Sequence, residues 1–153
     1  MSAQQQSRVA VVMGSDSDLK TMESCMETLQ ELKIPYEMRI LSAHRTPKAV
    51  EEFVASFDEK GVRIVIAAAG MAAHLAGVMA GHTTKPVIGV PMTGGAFNGA
   101  DALLATVQMP RGVPVATLAV GKSGAVNAAV LAAQILALVD PDVDARVKAH
   151  RAA

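Results

Sequence analysis

Short apolar runs alternate with longer stretches of helical periodicity along nearly the whole chain. The runs predict strands at Val9 to Met13, Tyr36 to Leu41, Val62 to Ala67, Val87 to Val90 and Val113 to Leu118. Arg63-Ile64-Val65-Ile66-Ala67 is continuously apolar after its first residue, as befits a parallel strand covered on both faces. Between the runs, Leu19, Met22, Met26 and Leu29 recur at helical spacing. Pro47 stands where a first-turn proline is tolerated, ahead of the apolar Val50, Phe53 and Val54. This alternation predicts an α/β three-layer sandwich around a central parallel sheet. The stretch Ser123 to Val139 differs, because it is apolar on almost every face: Val126, Val130, Ala133 and Ala137 on one side, Leu131, Ile135 and Leu138 on another. Such a helix needs cover on more than one side. In a chain this small the expected cover is a neighbouring subunit, which predicts a homo-oligomer.

At 153 residues the chain has the length of one domain and buries roughly 70% of its unfolded surface on folding. The expected division is a single domain over 1–153, with a core from about 8 to 140, a polar N-terminal tail and a charged C-terminal tail. A formal net charge of zero and 3% aromatic residues argue against a basic nucleic-acid surface with stacking rings. The partner then expected is a small molecule or another copy of the chain. The single cysteine, Cys25, has no internal disulfide partner, and no CxxC or Cys/His cluster points to zinc or iron-sulfur chemistry. It lies in a Met-rich helical stripe, where a buried structural thiol is the expectation. Met1 to Ser7 is polar and glutamine-rich, without the basic-then-apolar order of a signal peptide, and no apolar run reaches the length of a membrane span. A cytoplasmic protein without membrane contact is expected.

Ligands of open parallel sheets bind beyond the carboxyl ends of the strands. Three segments that follow predicted strands therefore share one edge: Gly14 to Asp18, Ser42 to Arg45, and Ala68 to His74. Gly14 and Gly70 permit close backbone approach, while exposed amides at helix starts attract an anion and Ser15, Ser17 and Ser42 add hydroxyls. Arg45 carries a charge suited to phosphate. Asp18, an acceptor only, suits a sugar diol, so the composite site fits a phosphorylated ribose. His44 is the candidate acid or base, with an ordinary pKa of about 6.5. Simpler roles are open to the same residues. Asp16, Ser17 and Asp18 equally suit a helix N-cap, and His44 a structural loop. His74 and His82 fit a helix start near the pocket and a helix end, and His150 a solvated tail. Gly94, Gly95 and Gly99 suit either a mobile lid or a plain connection.

Four ordered motifs carry a family resemblance: Val12-Met13-Gly14-Ser15 with Ser17-Asp18; Ser42-Ala43-His44-Arg45-Thr46-Pro47; Ala72-Ala73-His74-Leu75; and Val107-Gln108-Met109-Pro110 with Gly112-Val113-Pro114-Val115. Together, from about Val9 to Val139, the chain resembles the PurE family of purine biosynthesis, in its N5-carboxyaminoimidazole ribonucleotide mutase branch. The resemblance implies a flavodoxin-like domain assembled into a homo-octamer, with sites at subunit contacts and the C-terminal helix packed on a neighbour. It implies transfer of a carboxylate from the exocyclic nitrogen to ring carbon C4 of the ribonucleotide, without metal, nucleotide or organic cofactor. His44 falls on the general acid and base, Ser15, Asp18 and Arg45 on substrate contacts, and Gly70, Ala72, His74 and Leu75 on the third substrate loop. Arginine after the histidine resembles the mutase branch, whereas the related carboxylases, acting on aminoimidazole ribonucleotide and carbon dioxide, often carry lysine; a non-catalytic phosphosugar- or nucleotide-binding module is the other alternative. The family's usual third loop reads Gly-Gly-Ala-Ala-His-Leu-Pro-Gly. Here Met71 replaces the second glycine and Ala76 the proline, and the loop from Met92 to Gly99 also departs from the family pattern.

Overall fold

The structure, a computed structural model, describes residues 8–153; the polar tail of Met1 to Ser7 lies outside them. Five parallel strands form the sheet: β1 (Val9–Met13), β2 (Tyr36–Ile40), β3 (Ile64–Ala69), β4 (Val87–Pro91) and β5 (Ala116–Thr117), in the order β2-β1-β3-β4-β5. The helices are α1 (Leu19–Glu31), α2 (Pro47–Ala55), α3 (Phe57–Lys60), α4 (Leu75–His82), α5 (Ala100–Val107), α6 (Lys122–Ala137) and α7 (Pro141–Ala152).

Successive residues of a strand point to opposite faces, and β1 divides the core accordingly. Val9, Val11 and Met13 join Ile64, Ile66 and Ile88 in one apolar layer with α1, α6 and α7. Ala10 and Val12 join Val65, Ala67 and Val87 in a second layer with α2, α3 and α4. Every residue of β1 is fully buried, which is why this strand reads as an unbroken apolar run. The three-layer expectation holds.

Two elements differ from the sequence expectation. The run predicted over Val113 to Leu118 pairs as a strand only at Ala116 and Thr117, against Ile88 and Gly89. Pro114 lacks the N–H a ladder needs, and Gly112 at φ 92° turns the chain just before it. The segment read as a charged tail is the helix α7, whose Val143 is fully buried. Asp140 caps it by accepting from the backbone N–H of Asp142 and Val143, and Pro141 supplies the first-turn φ. The Arg8 guanidinium bonds Asp140 at 2.6 Å and the Arg146 guanidinium donates to the Leu32 carbonyl at 2.7 Å, tying α7 to β1 and to the end of α1. His150 lies 3.6 Å from Glu31 and is not a freely solvated side chain.

Helix α7 also supplies part of the cover that α6 required. The stripe Gly124, Ala125, Ala128, Ala129, Ala132, Ala133 and Leu136 is buried inside the chain, and α6 packs against the sheet, α1 and α7. Only small side chains allow so close an approach to several elements. Val126, Val130, Leu131 and Ile135 are half-buried, while Leu138 and Val139 stay 83% and 73% exposed at the helix end.

Candidate active site

The strand order reverses between β1 and β3, which carry the chain to opposite sides of the sheet, and there a crevice opens beyond the carboxyl ends. A cleft of about 390 Å³ occupies it. Its walls contain all the residues singled out from sequence: Gly14, Ser15, Ser17 and Asp18 after β1; Ser42, Ala43, His44 and Arg45 after β2; Gly70, Ala72, His74 and Leu75 after β3. Ala69, Met71, Thr93, Gly94 and Gly95 complete it. The last three come from the loop after β4, so Gly94 and Gly95 border the cleft. Their signal in the sequence was a glycine pair just after a strand, which a plain turn shares. A larger cleft, about 930 Å³, lies at the opposite edge around Pro86 and Val87, and Gly112, Val113 and Pro114 of the fourth motif line it.

Each loop is shaped by its own side chains. The Ser15 hydroxyl accepts from the Ser17 N–H at 3.3 Å and the Ser17 hydroxyl donates to it at 2.9 Å, closing a 3-10 turn over Asp16–Asp18 that leads into α1. Ser15 is therefore the cap, and the carboxylate of Asp18 makes no capping bond. Burial raises the Asp18 pKa above its ordinary 3.8; a bond from the Ser15 backbone opposes the shift and the Asp16 charge adds to it. An acceptor held partly away from water and unused by its own helix is available to a ligand hydroxyl.

In the second loop the Ser42 hydroxyl accepts from the backbone N–H groups of His44 (3.3 Å) and Arg45 (3.1 Å), while Thr46 bonds back to the Ser42 carbonyl and amide. The turn is thus fixed just before Pro47 starts α2, and it presents His44 and Arg45 outward. Ser42 has its oxygen engaged and only its hydrogen left to offer. The Arg45 side chain makes no ion pair among the described residues.

The third loop brings His74 to His44. The His44 Nε2 and His74 Nδ1 atoms are 2.7 Å apart, and the rings meet edge to face with centroids 4.7 Å apart. At that distance one nitrogen carries the shared hydrogen and the other accepts it, so the tautomers of the two rings are linked. His74 ends at the start of α4, where Leu75 is buried and anchors the loop. Helices α1, α2 and α4 all begin at this cleft, and their N-termini add a positive field to the Arg45 charge. An exposed guanidinium, three helix N-termini, a carboxylate that caps no helix and a coupled imidazole pair meet within one crevice. No group of three or more His, Cys, Asp or Glu side chains suited to a metal is found among the described residues. Among them, too, no helix is long and apolar enough to cross a membrane.

The strand order and the position of the cleft make this a flavodoxin-like α/β protein with its site at the β1/β3 switch. Comparison with known proteins narrows that class. The family model described as AIR carboxylase matches residues 8–153. N5-carboxyaminoimidazole ribonucleotide mutase of Bacillus subtilis is 51% identical over 143 residues, 94% of this chain and 88% of that protein. The mutases of Escherichia coli K12 (50% identical, 95% and 86% covered) and Pyrococcus abyssi (48%, 94% and 82%) are similar to the same extent. A crystal structure of Treponema denticola PurE superposes with a TM-score of 0.85 at 30% identity, covering 94% of this chain and 88% of that one. The chain belongs to the AIR carboxylase family, to which PurE belongs, as its four motifs led one to expect.

Proposed function

We propose that this protein is an N5-carboxyaminoimidazole ribonucleotide mutase, an isomerase that converts its substrate to 4-carboxyaminoimidazole ribonucleotide in purine biosynthesis, with His44 as general acid and base. The assignment of His44 is supported chiefly by the 2.7 Å His44–His74 contact inside a cleft that also holds Arg45 and Asp18. The assignment of the reaction is supported by relatives of that name at about half identity over nearly the whole chain.

In this reading the phosphate lies against Arg45, with the hydroxyls of Ser15, Ser17 and Ser42 and the helix N-termini around it. The ribose diol donates to Asp18, and the base lies along Gly70, Ala72 and Leu75. His44 gives a proton to the exocyclic nitrogen as the N–C bond to the carboxylate breaks, leaving an amine and carbon dioxide. Ring carbon C4 then attacks the carbon dioxide, and His44 takes the C4 proton as the ring regains its aromaticity. One proton leaves His44 and one returns, so no outside acid, base or electron carrier enters the balance. His74 holds the His44 ring in one tautomer and orientation throughout. The carbon dioxide must stay in place between the two half-reactions, which requires a cleft that is closed while it is free.

The protein works, in the same reading, as a cytoplasmic homo-octamer. Leu103, Leu104 and Val107 support assembly: they leave an apolar side of α5 open, at 37%, 61% and 44% exposure.

The test offers the purified protein N5-carboxyaminoimidazole ribonucleotide in one arm, and aminoimidazole ribonucleotide with bicarbonate in the other, without ATP. Efficient conversion in the first arm and slow conversion in the second is the expected result, and His44→Asn abolishes it while still binding substrate. Preference for the second arm would make the protein a carboxylase, the activity named by the family description. An active His44→Asn variant would remove the assigned acid and base.

A further inference from the structure

Met71 occupies the position where the resemblance of the chain to its family calls for glycine, and the backbone still has the glycine conformation, with φ 49°. An L residue in this left-handed region is strained by about 1–2 kcal/mol. Within the single chain Met71 is 60% exposed, so burial there does not offset the strain. Strain held at a site border signals a function for the side chain that imposes it.

The side chain lies beside Gly95. A Cβ added to Gly95 would lie 3.0 Å from the Met71 Cγ and 3.1 Å from its Sδ, so the thioether arm lies close over the glycine. Met71 follows β3 and Gly95 follows β4, and both line the cleft. Beneath them the two loops share a base, where the Met92 N–H donates to the Ala69 carbonyl at 2.9 Å. The thioether thus spans the cleft border from the third loop to the fourth, and it is flexible enough to yield when a ligand enters.

Resting on the mutase reading above, we propose that Met71 is the retention residue of this site: it braces the loop Thr93 to Gly99 against the third loop and so keeps released carbon dioxide from exchanging with solvent. It is a positioning residue and transfers no proton.

The test compares the full-length protein with Met71→Gly and Met71→Leu, following turnover of unlabelled N5-carboxyaminoimidazole ribonucleotide in labelled bicarbonate. The readout is the label in the product carboxylate per turnover, with uncatalysed exchange subtracted. In Met71→Gly the label is expected to rise about tenfold, a change of about 1.4 kcal/mol in the balance between escape and recapture. Met71→Leu, an apolar side chain of nearly the same volume, restores low exchange. Because glycine relieves the backbone strain, Met71→Gly also melts no lower than wild type, which separates retention from a folding role. Label per turnover unchanged in Met71→Gly overturns the proposal. The bracing is read without turnover, from faster amide hydrogen exchange over Gly94 to Gly99 in Met71→Gly, and unchanged exchange there overturns it too. A wild-type protein that turns over neither substrate overturns the mutase reading and with it the retention role, while the hydrogen exchange still decides the bracing.

Discussion

Gly124, the third residue of α6, allows a stability prediction whose size follows from the structure. A Cβ built there would lie 1.7 Å from the Ala119 carbonyl oxygen and 2.7 Å from its carbonyl carbon, where ordinary contact begins at 3.4 Å. Neither side can retreat easily. The segment bearing Ala119 is fixed to β4 by the Leu118 N–H on the Gly89 carbonyl (3.0 Å) and the Gly121 N–H on the Pro91 carbonyl (2.9 Å). On the other side, Ala125, Ala128 and Ala129 hold α6 against the sheet with no exposed surface. Overpacking of this kind destabilises by about 1–3 kcal/mol, and a clash with anchored backbone belongs at the upper end. For a domain of this size the melting temperature falls about 2–4 °C per kcal/mol, so Gly124→Ala is expected to melt about 6–12 °C below wild type. Gly81→Ala is the matched control. Gly81 lies in α4 with nothing within 4 Å of an added Cβ, and alanine there stabilises by about 0.5–1 kcal/mol. Thermal unfolding by circular dichroism of the two variants reads both effects. A Gly124→Ala protein that melts at or above the wild-type temperature refutes the claim that the α6 stripe is small because the backbone approaches it.

If Arg45 binds the phosphate as proposed, Arg45→Ala removes a charge-assisted contact of about 1.5–3 kcal/mol, so KM is expected to rise about 10- to 150-fold with little change in melting temperature; normal KM would place the phosphate elsewhere. Cys25 is fully buried in α1, and burial pushes its thiol up from 9.0 to about 12. At pH 8 about one folded molecule in 10,000 carries a thiolate, so alkylation followed by mass spectrometry is expected to label Cys25 only after denaturation. The same shift contributes stability that is whole below pH 9 and is lost as the pH rises from there towards 12. Leu104→Glu places a charge on the open apolar side of α5, and light scattering is expected to show a smaller assembly than wild type; an unchanged mass would locate the contact elsewhere.

Much of this fold was legible in the sequence because burial on both faces leaves an unmistakable trace. Strands β1 and β4 match their expected bounds to within a residue, whereas β3 begins two residues later than its apolar run. Helix α7 was overlooked because its polar composition hides its apolar positions. Val143 and Val147 pack on the core, but Asp142, Asp144, Arg146 and Lys148 surround them. Asp140 followed by Pro141 was the available start signal. At the site, strand-end placement predicted which residues meet in one cleft. It did not predict that His44 and His74, thirty positions apart, share a hydrogen bond. That pairing depends on β2 and β3 lying on either side of β1, a long-range fact carried by no local pattern. The tie between Met71 and Gly95 is equally non-local, although the departure of Met71 from glycine marked the place.

Strand β1 has a further consequence, for the order in which the chain is made. It is translated before both of its sheet neighbours, yet it lies inside the sheet, and its partner on one side, β3, ends at Ala69. At a synthesis rate of 5–20 residues per second, about 3–11 s pass between completion of Met13 and completion of Ala69. During that interval a wholly apolar strand has at most one neighbour, β2, and an open edge on which another nascent chain can pair. The central position that makes β1 the best-protected segment of the finished protein makes it the most exposed segment of the growing one.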